Sequence, residues 1–129
     1  TIQDVGRFEL ALLTSEAPAT VLRFVQLAES GYYDGLTFDR IAPSGIVQGG
    51  RPVVDETGYP HSEVGTWPHV RGVVGLAMPD TNDGQFFVNL VDNPRFDHQY
   101  TVFAQILNGG EIVEQLLEGD VIGSISIDP

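Results

Sequence analysis

Apolar and polar residues alternate from Arg7 to Leu12, with Phe8, Leu10 and Leu12 set against Arg7, Glu9 and Ala11, which predicts a strand with one buried face. The period then changes. Val21, Phe24, Val25 and Ala28 recur at i, i+3, i+4 and i+7, so the spacing predicts a helix that opens at Pro18, a residue suited to a first turn, and closes at Gly31. Further strands are predicted at 37–41, 46–48, 70–78, 86–91, 101–107 and 121–127. A second helix is predicted over about 111–118, with Ile112, Val113, Leu116 and Leu117 on one apolar stripe and Gly119 at its end. From Arg51 to Pro68 the residues Pro52, Gly58, Pro60, Gly65 and Pro68 interrupt any regular element and predict a long surface loop. Many short strands with two helices read as a mostly β domain, a barrel or a sandwich, with the helices packed outside.

Composition narrows this only at the edges. A chain of 129 residues reads as a single domain over 1–129. That length buries roughly 65 to 70 per cent of the unfolded surface and needs no disulfide or metal for stability. A start at Thr1, already close to a strand pattern, also fits a domain cut from a longer protein. There is no cysteine, which agrees with a core-stabilised fold and leaves the compartment open. The net charge of −12, from 18 acidic and 6 basic residues, argues against a nucleic-acid or anionic-membrane surface, because phosphate binding depends on Lys and Arg. No apolar run approaches the ~20 residues a membrane helix needs, and no stretch reads as a signal peptide.

The segment Phe38 to Gly50, FDRIAPSGIVQGG, carries the candidate chemistry. Arg40 lies between Phe38 and Ile41 in an apolar surrounding, and a permanently charged guanidinium there needs solvent or a partner. Taken alone, it reads as a strand arginine with its head in water. A second segment, Gly75 to Val91, GLAMPDTNDGQFFVNLV, runs from a polar turn into Gln85-Phe86-Phe87-Val88 and is followed by Asn93-Pro94-Arg95-Phe96-Asp97-His98 and Tyr100-Thr101-Val102-Phe103. With Gly6-Arg7-Phe8-Glu9-Leu10, Ala17-Pro18-Ala19-Thr20 and Gly31 to Phe38 in the same order, the chain resembles the cyclophilins, a family of peptidyl-prolyl cis-trans isomerases.

The resemblance selects a closed antiparallel β-barrel of about eight strands, the first shortened, with two flanking helices. It implies rotation about Xaa-Pro bonds, proline-containing peptides or unfolded proteins as partners, and no cofactor or metal. The catalytic residues it implies are Arg40, Gln48 and Phe87, and the substrate-binding residues are Ile46, Met78, Gln85, Phe96 and Tyr100. Phe86 and Phe87 are adjacent and face opposite sides of a strand, so the residues alone leave open which is core; the resemblance gives Phe87 to the pocket and Phe86 to the interior. On the residues alone Ile46 and Met78 are ordinary packing, and Gln48 before Gly49-Gly50 closes a turn.

Several positions depart from the family pattern. Gly45 stands where the pocket wall usually has a large aromatic residue, so that side is expected to be open or filled by another side chain. Asp39 replaces a common histidine beside the arginine, and a local twist would let the two pair. Pro79, in a shortened loop from Pro79 to Gly84, lacks an N–H where the family pairs its backbone with substrate. Arg95 replaces the tryptophan linked with cyclosporin binding, so weak cyclosporin binding is expected. Tyr100 replaces the histidine of eukaryotic relatives, which resembles bacterial members and suggests a bacterial protein, cytoplasmic or periplasmic.

Other chemistries fit poorly. Asp80, Asn82 and Asp83 precede Gly84 without the glycine spacing or the glutamate of a calcium loop. His61, His69 and His98 fall in predicted loops without metal-ligand spacing. No serine sits in a nucleophile elbow, and neither Gly-Gly pair precedes a Lys-Ser or Lys-Thr. Two functions remain open here: an active prolyl isomerase, or a cyclophilin-like module that binds proline segments with little or no turnover, the latter suggested by Gly45, Pro79 and Arg95.

Overall fold

A computed structural model of the chain describes residues 1–42, 45–50, 65, 67–77 and 84–127. Its elements are β1 (Glu9–Leu12), α1 (Pro18–Glu29), β2 (Phe38–Ala42), β3 (Ile46–Gly49), β4 (Val73–Leu76), β5 (Phe86–Asn89), a 3₁₀ turn (Pro94–Phe96), β6 (Val102–Asn108) and α2 (Gly110–Glu114). The strands form one antiparallel sheet in the order β1-β6-β4-β5-β3-β2.

The inner face of the sheet makes the core. Val47, Val74, Leu76, Phe86 and Val88 point inward, and α1 lays Val21, Phe24, Leu27 and Ala28 over them. Rings dominate this layer: Phe24 lies 5.3 Å from Tyr33, 6.2 Å from Phe86 and 5.2 Å from Phe103. Tyr33 is 1 % exposed, and its hydroxyl donates to the Gly84 carbonyl at 2.8 Å, so burial leaves no polar atom of that side chain unpaired.

The expected closed barrel of eight strands is corrected in count, since the described residues form six. Beyond β1 and β2 the described residues make only isolated bridges, Thr37 with Val121 and Ile2 with Gly6 and Ile122. The strand expected at 121–127 shrinks to the bridging pair Val121 and Ile122. Gly123 and Ser124 donate to the Thr1 carbonyl, and no described residue pairs with the backbone from Ile125 to Ile127. Alternation of Ile with Ser satisfies a strand pattern, but a strand also needs a neighbour to receive its hydrogen bonds.

Two other boundaries move for local reasons. The strand expected at 70–78 contracts to β4 because Arg71 and Gly72 turn, Gly72 at φ +89°, while Met78 lies outside the described residues. The second helix is α-helical only to Glu114. Gln115 and Leu116 then donate to Ile112 and Val113, the i to i−3 pattern of a tighter turn. Three residues per turn stack Leu116 over Val113, both buried, and swing Leu117 into solvent at 69 % exposure, so Leu117 leaves the expected stripe. Most of the loop expected between Arg51 and Pro68 also lies outside the described residues.

Candidate functional site

The outer face of the sheet carries the candidate site, and a bulge in β2 creates it. Arg40, Ile41 and Ala42 pair with Gln48, Val47 and Ile46, whereas Phe38 pairs with Gly49, so Asp39 is an extra residue between Phe38 and Arg40. In a regularly paired strand Phe38 and Arg40 would share a face, as residues two apart do. The inserted residue rephases the strand. Phe38 enters the core at 0 % exposure, and Arg40 emerges on the opposite, exposed face.

Register carries this face inward across the sheet. Arg40 is paired with Gln48 of β3, Gln48 with Phe87 of β5, and Phe87 with Gly75 of β4. The three residues expected to be catalytic therefore stand in one row over three neighbouring strands. Gln48 Nε2 donates to Gln85 Oε1 at 3.2 Å, which links two of the expected site residues and holds the Gln48 amide. Ile46 precedes Gln48 by two residues and shares its face. Among the described residues no ion pair engages Arg40.

Phe86 and Phe87 point to opposite sides. Phe86 joins Phe24, Tyr33 and Phe38 in the core. Phe87 belongs to a second aromatic group, 5.6 Å from Phe96 and 5.6 Å from Tyr100, with Phe96 and Tyr100 themselves 5.2 Å apart. The 3₁₀ turn from Pro94 to Phe96 delivers this wall of the group, and Pro94 in its first position suits that turn. Gly75 beneath Phe87 leaves room for the ring: a β-carbon there would come 2.5 Å from Phe87 Cζ.

His69 is the residue that the loop reading missed. It is 1 % exposed, and its ring is stacked on Phe87 at 5.7 Å with 16° between planes. Its Nε2 lies 3.1 Å from the Tyr100 carbonyl and its Nδ1 3.3 Å from the Asn89 amide nitrogen. The neutral tautomer with Nε2–H satisfies both contacts, donating to Tyr100 and accepting from Asn89. Burial, more than the opposing effects of the Tyr100 carbonyl and Asp97, lowers its pKa below the ordinary 6.5. Asn89 also donates to the Val73 carbonyl at 3.0 Å and accepts from Asn93 at 2.9 Å, so the buried amides behind Phe87 are satisfied. No periodic signal marks His69, whose partners come from 20 and 31 residues away.

Gly45, at φ +98°, is backed by Val91, whose Cγ2 occupies the space a side chain at Gly45 would need. That side of the site is filled by an aliphatic side chain instead of an aromatic one. Arg95 lays its guanidinium 4.8 Å from the centre of the Phe96 ring. Met78, Pro79 and the acidic run Asp80 to Asp83 lie outside the described residues. A cavity of about 510 Å³ lies elsewhere, between β1 and the C-terminal segment, lined by Phe8, Leu10, Ile122, Ile125 and Ile127 and by none of the candidate site residues.

Comparison with known proteins follows the same lines. Residues 1–127 match the family model described as cyclophilin type peptidyl-prolyl cis-trans isomerase/CLD. The chain is 33 % identical to peptidyl-prolyl cis-trans isomerase B of Bacillus subtilis, covering 98 % of this chain and 94 % of the relative. It is 36 % identical to a peptidyl-prolyl cis-trans isomerase of Helicobacter pylori, covering 96 % and 83 %. Among solved structures, a Cryptosporidium parvum cyclophilin determined in the presence of the dipeptide Ala-Pro superimposes with a TM-score of 0.80 at 26 % identity, covering 88 % of this chain and 80 % of the other.

Proposed function

The chain belongs to the cyclophilin-type peptidyl-prolyl cis-trans isomerases, and within that activity we propose that the row Arg40, Gln48 and Phe87 carries the reaction on proline-containing peptides. Rotation about an Xaa-Pro bond requires loss of C–N double-bond character, against a barrier of ~18–20 kcal/mol. No covalent step is needed. Rate comes from groups that hold the twisted form better than either planar one.

Arg40 supplies the charged donor. As the bond twists, the lone pair localises on the prolyl nitrogen, and a guanidinium N–H directed at it stabilises that geometry selectively. Gln48, restrained by Gln85, orients the Arg40 head or contacts the substrate backbone. Phe87, Phe96, Tyr100 and Ile46 form the apolar pocket for the proline ring, with Met78 assigned to it by family likeness alone. The single observation behind this reading is the alignment of Arg40, Gln48 and Phe87 on one face, produced by the bulge at Asp39. The related cyclophilin studied with Ala-Pro supports a proline dipeptide as the minimal ligand.

We further infer a barrel in which the N-terminal and C-terminal segments span the interval between β1 and β2, supported by the Ile2–Ile122 and Thr37–Val121 bridges. With Arg95 in place of an aromatic at the rim, cyclosporin binds weakly, which a titration of inhibition measures directly. For the site itself, titration with an Ala-Pro peptide is followed by amide and side-chain shifts. The changes are expected to centre on Gln48, Phe87, Phe96 and Tyr100; changes confined to the Phe8–Ile125 cavity would overturn the assignment.

A further inference from the structure

All six basic residues of this chain are arginines: Arg7, Arg23, Arg40, Arg51, Arg71 and Arg95. Arg7 faces Glu9 at 3.7 Å, and Arg71 donates to Glu114. Arg95 is arranged differently. It is exposed, rests on the face of Phe96, and makes no ion pair among the described residues. The acidic residues nearest to it in sequence are already engaged by backbone amides: Asp92 Oδ1 accepts from Arg71 N–H at 3.0 Å, and Asp97 Oδ1 accepts from His69 N–H at 2.7 Å. The cation–π contact restrains the guanidinium over the ring, and among the described residues no carboxylate takes its N–H fork, which reduces the ordering cost of pairing with an incoming one.

We propose that Arg95 is a specificity determinant that favours proline segments carrying an acidic side chain close to the proline, held by an ion pair at the rim of the pocket beside Phe96. This rests on the assignment of Phe87, Phe96 and Tyr100 as the proline pocket. The net charge of −12 opposes an acidic peptide at long range, but at physiological salt charges beyond about 8 Å are largely screened, and the contact with Arg95 is local. The cost of ordering that limits exposed ion pairs is reduced by the stacking, so the preference is worth about two- to fivefold in kcat/KM, the upper part of the range for exposed pairs.

The test is NMR exchange spectroscopy on matched peptides with Glu, Gln or Lys placed either just after the proline or two residues before it, using the parent chain, Arg95→Gln and Arg95→Lys. Expected is faster turnover of a Glu peptide than of its Gln counterpart at one of the two positions, slower turnover of the Lys peptide, loss of the Glu/Gln ratio in Arg95→Gln and its partial retention in Arg95→Lys. A Glu/Gln ratio of one at both positions in the parent, or a ratio unchanged in Arg95→Gln, would overturn the proposal. Failure of the pocket assignment reads out separately, as turnover of the Gln peptide by Phe87→Leu at the parent rate.

Discussion

Phe38 and Arg40 are two residues apart in one strand yet lie on opposite faces of the sheet, because Asp39 is bulged between them. Core and site are therefore coupled through a single inserted residue. The side chain that seals the interior and the one assigned to the prolyl nitrogen keep a fixed relation only while that bulge persists.

Phe86 and Phe87 should separate stability from activity. Phe86→Ala removes a ring packed against Phe24, Tyr33 and Phe38 and is expected to cost about 3–5 kcal/mol in urea unfolding. Phe87→Leu keeps an apolar side chain but loses the flat surface shared with Phe96 and Tyr100, and is expected to lower kcat/KM by about tenfold, ~1.4 kcal/mol of transition-state binding. Phe86→Leu, assayed where it is fully folded, should stay near parent activity. Equal activity losses in the two Leu variants would contradict the two-face arrangement.

Gly45 should resist replacement by the aromatic residue common at that place in the family. Its φ of +98° is unfavourable for any side chain, and Val91 already occupies the space. Gly45→Phe is expected to lose about 1–3 kcal/mol from backbone strain, with the collision added to that. Adding Val91→Ala to it should recover the collision and leave the strain, so partial rescue in urea unfolding is the predicted pattern. Full rescue would show that Gly45 is set by space alone.

Acid should weaken the fold through His69. Its folded pKa is below the unfolded value of 6.5, so above 6.5 both states are neutral and its contribution is intact. As pH falls below 6.5 the unfolded chain takes up the proton first, and stability declines until the lowered folded pKa is passed. Comparing urea midpoints of the parent and His69→Gln between pH 7.5 and 5 isolates this component from the carboxylates. The parent should lose more stability over that interval than the variant; parallel curves would contradict the neutral, buried imidazole.

How far the site could be read in advance depends on the range of the interaction involved. Helix α1 was legible because its Val21, Phe24 and Ala28 spacing is local, whereas Arg40, Gln48, Phe87, Phe96 and Tyr100 are candidates assigned through ordered family motifs and not through any local pattern. The bulge leaves only a faint local trace, since Phe38-Asp39-Arg40-Ile41 runs apolar-polar-polar-apolar and two adjacent polar residues also fit a turn or a strand end; the pairing with β3 is what identifies the inserted residue. His69 does lie in a loop, as its position predicts, but its burial was not legible because it depends on Phe87, Asn89 and Tyr100, all distant in sequence. The segment from Ile125 to Ile127 failed in the opposite direction: its alternation is strong, but strand formation depends on a partner that alternation does not encode.

The most direct test of the catalytic row is NMR exchange spectroscopy on an Ala-Pro peptide with catalytic amounts of the parent, Arg40→Ala and Arg40→Lys, since it observes isomerisation without a coupling protease. Loss of one preorganised donor in comparable sites lowers the rate by about 10²–10³, and Lys, a point charge without the planar fork, should restore little of it. Clear exchange peaks are expected with the parent and near-background exchange with both folded variants. Parent-like exchange in folded Arg40→Ala would remove Arg40 from the chemistry and with it the role assigned to the row.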